Sequence, residues 1–506
     1  LVISNREIDA DFLSLPRQRL ADAAMSAARA CGAAHADLRV HRIATETIQL
    51  RDGKLEAAVS NRELGLAVRV IVDGTWGFAS HAELAPDVAA DTARRAVRAA
   101  TALAALNTER VELAPEPVHA DATWVSSYQV DPFTVPTADK VGLLQEYSGR
   151  LLAGDGVDHV SAHVTVVKEQ TFYADTFGSS ITQQRVRLTP ALEAVTVGGA
   201  AGGFDTLRTL APPMGRGWEV VAGDEIWNWT DELAQMPSLL AEKVRAPSVR
   251  AGPTDLVIDP SNLWLTIHES IGHATEYDRA LGYEAAYAGT SFATPDKLGT
   301  LRYGSPVMNV TADRTVEFGL ASVGYDDEGV AAQRWDLVRD GIFVGYQHDR
   351  MSASRLGQPR SNGCSYADSP HHVPIQRMAN VSLQPGPGAT STADLIARVD
   401  DGIYVVGDKS CSIDMQRCNF QFTGQRFYRI RGGRLGGQLR DVACQASTID
   451  FWNSMEAVGG ESTWRLGGAF TCGKAQPGQL AAVSHGCPSA LFRGVNVLNA
   501  RVGGSK

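Results

Sequence analysis

Only seven cysteines occur in the 506 residues, an odd number, and no two of them form a C-x-x-C pair. That pattern fits a reducing compartment. No eighteen-residue apolar run is present, so no membrane-spanning helix is expected. The opening residues, Leu1-Val2-Ile3-Ser4-Asn5-Arg6-Glu7, lack the charged and hydrophobic regions of a signal peptide, and a cytoplasmic location is expected. Positive charge is not in excess: the formal net charge of -10 argues against a nucleic-acid partner, which demands a basic face. Low-complexity tracts are absent too. With no G-x-S-x-G elbow and no cysteine-protease signature, covalent catalysis is the weaker expectation.

What is there is His268-Glu269-Ser270-Ile271-Gly272-His273, two imidazoles and a carboxylate within six residues. In an H-E-x-x-H helix the histidines are four apart on one face, with the glutamate as general base beside the metal site. Here they are five apart, and at about 100° per residue a regular α-helix would set them roughly 140° apart. To chelate one ion the helix must widen into a π-type turn or break, and Gly272 sits where either is tolerated. Upstream, Leu256-Val257-Ile258 reads as a strand and Asp259-Pro260-Ser261-Asn262 as a capped turn. The apolar run Leu263 to Ile267 then enters the motif as a buried helix.

Catalytic zinc normally takes three protein ligands and keeps a further position for water or substrate. Cys411, Cys418, Cys444, Cys472 and Cys487 all lie in the last hundred residues. Cys472 leads: Val458-Gly459-Gly460 and Leu466-Gly467-Gly468 precede it, which suits a thiol on a tight loop, and Lys474 favours a thiolate. His485 and Cys487 are its rivals. Cys411, Cys418 and Cys444 read as buried free thiols.

The chain resembles a TldD-type member of the TldD/PmbA family of metallopeptidases nearly end to end. The resemblance is carried by the His268 to His273 helix, Tyr277-Asp278-Arg279, Ala288-Gly289-Thr290-Ser291, Asp326-Asp327-Glu328-Gly329-Val330, Arg377-Met378-Ala379-Asn380 and Cys472-Gly473-Lys474. It implies one zinc ion per chain on His268, His273 and Cys472, with Glu269 as catalytic acid/base. The matching Cys-Gly-Lys block moves Cys472 ahead of Cys487. It also implies unfolded or extended peptides as substrate, peptide-precursor trimming, and a heterodimer with a TldE (PmbA) subunit lacking the metal motif; a second copy of the chain is the other partner considered.

Zinc on two neutral imidazoles and a thiolate keeps a net positive charge, so it polarises a carbonyl and brings the pKa of bound water toward about 7. Glu269 would take that proton and return it to the departing amine. The alternative is a zinc-bearing, non-catalytic subunit that binds peptide for a partner. For the oxyanion, His371 and His372 are the first candidates.

The fold class expected is α+β, with an N-terminal helix-plus-sheet domain over residues 1–250 and a β-rich C-terminal catalytic domain over 251–506, divided at Ala251-Gly252-Pro253. Helices are expected over 17–31, 86–106, 137–153 and 223–247. Strands Ile43–Leu50 and Lys54–Val59 flank Asp52-Gly53, a hairpin signal. Leu64, Leu66, Val68, Val70 and Val72 alternate as one face of a half-buried strand. A second helix-plus-strand pattern follows over 137–199. Beyond the motif, Asp340-Gly341, Asp401-Gly402 and Gly432-Gly433 predict hairpins.

Overall fold

The computed structural model describes residues 7–198 and 203–501. An alanine-rich helix, α1 (Arg17–Ala30), leads into β1 (His35–Arg51) and β2 (Lys54–Val72), joined through Asp52 and Gly53. Both turn residues have positive φ, 51° and 71°, the backbone that a two-residue hairpin of this hand requires. After β3 (Thr75–His81), α2 (Pro86–Ala104) packs back on the sheet. Then α3 (Thr137–Leu152) precedes a second long hairpin, β4 (His159–Asp175) and β5 (Ser180–Val197). The two hairpins do not form separate units: β1 pairs antiparallel with β4, so one seven-stranded sheet runs β3-β2-β1-β4-β5, completed by Ala122–Val125 and Phe204–Arg208. Helix α4 (Trp229–Arg245) lies against it on the side of α3. The predicted helices are present with ends within a few residues, except that the 223–247 segment becomes helical only at Trp229.

One expectation fails instructively. The segment Gly65–Val72 is buried on both faces, because Arg69 does not reach solvent. Its guanidinium donates to Asp37 at 2.8 Å and to Glu328 of the C-terminal half at 3.0 Å. Arg39 makes the same kind of bridge to Asp327 at 2.5 Å. The alternation of apolar residues marked the inner face correctly, but the polar face is covered by another layer of protein through paired charges.

In the C-terminal half, β6 (Gly252–Ile258) precedes α5 (Pro260–Ile267) and the motif. A four-stranded sheet contains β7 (Val310–Asp313) beside β8 (Asn380–Leu383). A larger sheet closes on itself: β9 (Asp401–Ile413) pairs with β6, then follow β14 (Ala490–Asn499), β11 (Val442–Ser447) and β10 (Asn419–Arg431), which pairs back with β9. This five-stranded ring packs Phe420, Phe422, Phe451 and Phe492 together. A separate hairpin, β12 (Arg465–Lys474) and β13 (Gln479–Cys487), carries Cys472.

Asp340-Gly341 and Gly432-Gly433 form the turns expected of them. Asp401-Gly402 does not: it opens β9, where a Cβ on Gly402 would meet the Asp255 carbonyl oxygen at 2.5 Å. That glycine serves the close approach of two parallel strands. Of the three cysteines expected to be buried, Cys444 is, while Cys411 and Cys418 are half-buried.

Candidate metal centre

Helix α5 starts on Pro260, and the Asp259 carboxylate caps it, accepting from the Ser261 amide at 3.0 Å. Its α-helical bonding stops at Ile267. The next five residues, His268–Gly272, form a π turn in which the His273 amide donates to the His268 carbonyl five residues back, followed by a 3₁₀ turn over His273–Thr275. The widening predicted from the five-residue spacing is therefore present. Neighbouring side chains satisfy carbonyls of the widened turn: Tyr303 donates to that of Ser270, and Gln347 Nε2 to that of Gly272 at 2.8 Å. Gly272 has a reason other than backbone freedom. Its Cβ would stand 2.5 Å from Met378 Sδ, so the turn needs a residue without a side chain to sit against Met378.

The turn brings the His268 and His273 rings to a centroid distance of 4.7 Å with planes 78° apart. Cys472 Sγ lies 3.4 Å from His273 Nε2, and one donor atom from each of the three residues falls within 4.8 Å of the others. Cys472 is in strand β12, at an irregularity between Ala469 and Cys472, and not on the tight loop that the flanking glycines predicted. Gly467 and Gly468 instead provide clearance: a Cβ on Gly467 would overlap Trp264 at 2.4 Å, and one on Gly468 would meet the Val483 carbonyl at 2.5 Å.

Hydrogen bonds fix which imidazole nitrogen is free. His485 Nδ1 sits 2.9 Å from the Val381 carbonyl, which only accepts, so Nδ1 carries the proton and Nε2 a lone pair. His268 Nδ1, 2.7 Å from that lone pair, must donate to it, which leaves His268 Nε2 unprotonated. His273 Nδ1 likewise donates to Glu276 Oε2 at 2.8 Å, leaving Nε2 unprotonated and facing Cys472. Burial pushes the His268 pKa down to about 3 and that of His273 well below its usual value, so both rings are neutral. Two neutral imidazoles with oriented lone pairs beside a thiol are a soft donor set that suits zinc, and partners to the far nitrogens are the usual support of such a site.

Burial raises the Cys472 thiol to about 11, and the cation that opposes this most is Arg377. Arg377 Nη2 donates to the Cys472 carbonyl at 2.5 Å. Lys474, the residue expected to favour the thiolate, is aimed elsewhere: its Nζ contacts Glu276 at 3.0 Å and Asp278 at 2.8 Å. Burial alone would raise Glu276, but Lys474 and Arg279 outweigh it and hold the carboxyl well below the usual range. A fully ionised Glu276 is the acceptor that orients His273.

Glu269 follows His268 on the same turn. Burial lifts its pKa above the usual value even with Arg417 beside it, Nη1 to Oε2 at 2.6 Å. Sequence reasoning missed Arg417 altogether. It stands in the turn between β9 and β10 with a φ of 64°, a strained backbone for a non-glycine residue, held by Thr448 Oγ1 donating to its carbonyl at 2.6 Å. The Ala288-Gly289-Thr290 segment pairs with this turn, Thr290 N to Met415 O at 2.7 Å, and Ala288 O accepts from both Arg417 at 3.2 Å and Arg279 at 2.6 Å.

The rivals fall outside the cluster. His485 supports His268 from behind, and the Cys487 thiol lies against the Pro260 carbonyl at 3.7 Å. His371 and His372 are not brought to the site: they contact Ser80 at 3.3 Å and Asp368 at 2.7 Å.

A sequence profile described as the PmbA/TldA metallopeptidase C-terminal domain matches residues 251–499, and that family's domain 1 matches residues 36–104. The chain is 29% identical over 473 residues to a metalloprotease of Methanothermobacter thermautotrophicus, covering 93% of this chain and 96% of that one. It is 26% identical over 284 residues to a zinc metalloprotease TldD homolog of Saccharolobus solfataricus, 55% of this chain and 58% of that one. In fold it resembles a putative modulator of a DNA gyrase from Thermotoga maritima, with a TM-score of 0.74 at 14% identity over 95% of this chain and 100% of that one. TldE of Thermococcus kodakarensis aligns with a TM-score of 0.69 at 16% identity, covering 94% and 99%.

Proposed function

The chain belongs to the PmbA/TldA metallopeptidase family, and from that premise we propose that it hydrolyses peptide bonds in unfolded or extended peptides, with one zinc ion held by His268, His273 and Cys472 and with Glu269 as general acid/base. The observation that carries the reading is the pair of fixed imidazole tautomers on two rings that share one buried group with the Cys472 thiol, the free His273 Nε2 lying 3.4 Å from it.

Zinc held by these residues would supply a Lewis acid to polarise the scissile carbonyl and to make water more acidic. Glu269 takes a proton from the attacking water on a carboxylate oxygen as the oxygen–carbon bond forms. The same carboxyl returns that proton to the amine nitrogen as the carbon–nitrogen bond breaks, so an amine and not an amide anion departs. Arg417 holds Glu269 in one orientation through its 2.6 Å ion pair. A subunit that only bound peptide would have no use for a carboxylate held in this way, which disfavours the non-catalytic alternative. The partner we infer is a TldE-like chain, supported by the likeness of fold to TldE of Thermococcus kodakarensis.

The test is metal dependence. The purified chain, together with a TldE-like partner, is expected to cleave an unstructured peptide, to lose cleavage with a chelator and to regain it with about one zinc per chain. Cleavage that continues at full rate after the metal is removed would sink the reading.

A further inference from the structure

Arg314 follows β7 directly and is 2% exposed. Among the described residues its Nε has no hydrogen-bond partner, and no carboxylate lies within ion-pair distance of its guanidinium. The other buried arginines among the described residues each make a charged or hydrogen-bonded contact through the guanidinium, although the Nε atoms of Arg39 and Arg377 are unpartnered too. Arg39 pairs with Asp327, Arg69 with Asp37 and Glu328, and Arg279 with Glu276. Arg350 and Arg377 donate to backbone carbonyls, at 2.8 Å and at 2.5 and 3.0 Å. An ionised guanidinium taken out of water without a counter-charge is costly enough that proteins rarely retain one.

Arg314 lines a cavity of about 440 Å³ between β5 and the loop over residues 315–324, and Arg185 and Arg187 line it with Arg314. Those two arginines share a single carboxylate oxygen, Glu169 Oε2, each at 2.7 Å, and the Nε of Arg187 is unpartnered as well. A second, small void of about 20 Å³ that Arg314 and Arg185 also line is bordered by Glu169, Asp326 and Asp327. Asp326 and Asp327 both favour the charged Arg314 guanidinium through space, but neither forms an ion pair with it. Asp326 is bound by the amides of Glu328, Val330 and Ser365, and burial with Glu328 beside it raises its carboxyl to about 8, while Asp327 is taken by Arg39. At the mouth, Glu317 is exposed and faces Arg216.

We propose that this cavity binds a small anion carrying a carboxylate or a phosphate group, with Arg314 as its principal partner and Arg185 and Arg187 beside it. Guanidinium forks match both groups bidentately, and the volume is that of a small-molecule site. Its lining shares no residue with the metal centre, so the proposal does not rest on the peptidase reading. A bound anion would join the first sheet to the loop whose Leu320 amide donates to Ser484, the neighbour of His485, at 3.0 Å.

The experiment follows thermal unfolding of the full chain against inorganic phosphate, malonate and chloride at matched ionic strength. The wild-type midpoint is expected to rise with the logarithm of phosphate or malonate concentration, the more effective of the two identifying the group, with little response to chloride. Arg314→Met should weaken the apparent affinity by about tenfold or more, and Arg314→Lys by less. Equal responses of wild type and Arg314→Met, or no response in the wild type, would overturn the proposal. Should Arg314→Met fail to fold, tungstate soaked into wild-type crystals decides: an anomalous peak beside Arg314 supports the site, and water alone in the cavity refutes it.

Discussion

His268 Nδ1 lies 2.7 Å from His485 Nε2, and His485 in turn places its Nδ1 2.9 Å from the Val381 carbonyl. Two imidazoles and a backbone carbonyl thus pass one orientation along the chain and point the free lone pair of His268 away from His485. Trp264 stacks on His485 with the planes 7° apart, which keeps that ring from turning.

His485→Ala would leave the His268 Nδ1 proton without an acceptor in a buried site. Metal affinity is expected to fall by about 10- to 100-fold with the zinc stoichiometry at saturation unchanged. Competitive zinc titration against a chromophoric chelator measures this. An unaltered affinity would mean that the relay does not orient the ligand.

Cys472 and Cys487 separate the first-choice ligand from its rival. Cys472→Ala should lose zinc and Cys487→Ala should retain it, because the Cys487 thiol lies against the Pro260 carbonyl and outside the cluster. Metal analysis of the two purified variants decides, and zinc lost from Cys487→Ala alone would hand the position to that residue.

Acid should weaken the first sheet through Glu169. This carboxylate is buried beside Arg185, Arg187 and His41, and although burial would raise its pKa, the two arginines hold it well below the usual value. A carboxylate depressed in the folded state contributes stability that is present above its unfolded pKa of about 4.3 and is lost as the pH falls through the folded value. Wild-type stability should therefore decline below about pH 4. Glu169→Gln should cost about 3 kcal/mol at pH 7 and show a shallower decline in acid. Urea denaturation between pH 3 and 7 measures both, and an unchanged slope in the variant would contradict the assignment.

Much of the site was legible because its chemistry is local. The five-residue spacing of His268 and His273 forces a wider turn, and Asp259-Pro260 marks where the helix begins. Cys472 could be picked out, but its strand could not, since glycines that prevent clashes with Trp264 and Val483 look in sequence like those of a loop. Arg417 left no signal: it reaches Glu269 through a left-handed turn 148 residues away in the chain. The alternation along β2 marked its apolar face, whereas the partners of Arg69 depend on how the two halves meet. Glycines at Asp52-Gly53 and Asp401-Gly402 read alike and act differently, one setting φ and the other letting two strands approach.

The central claim is that Glu269 moves the proton while three other side chains hold the ion, and Glu269→Ala tests it most directly. Zinc content and cleavage of an unstructured peptide are measured on the same preparation. The expected result is about one zinc per chain with cleavage reduced at least about a hundredfold. Cleavage by the zinc-loaded variant as fast as by the parent would contradict the account.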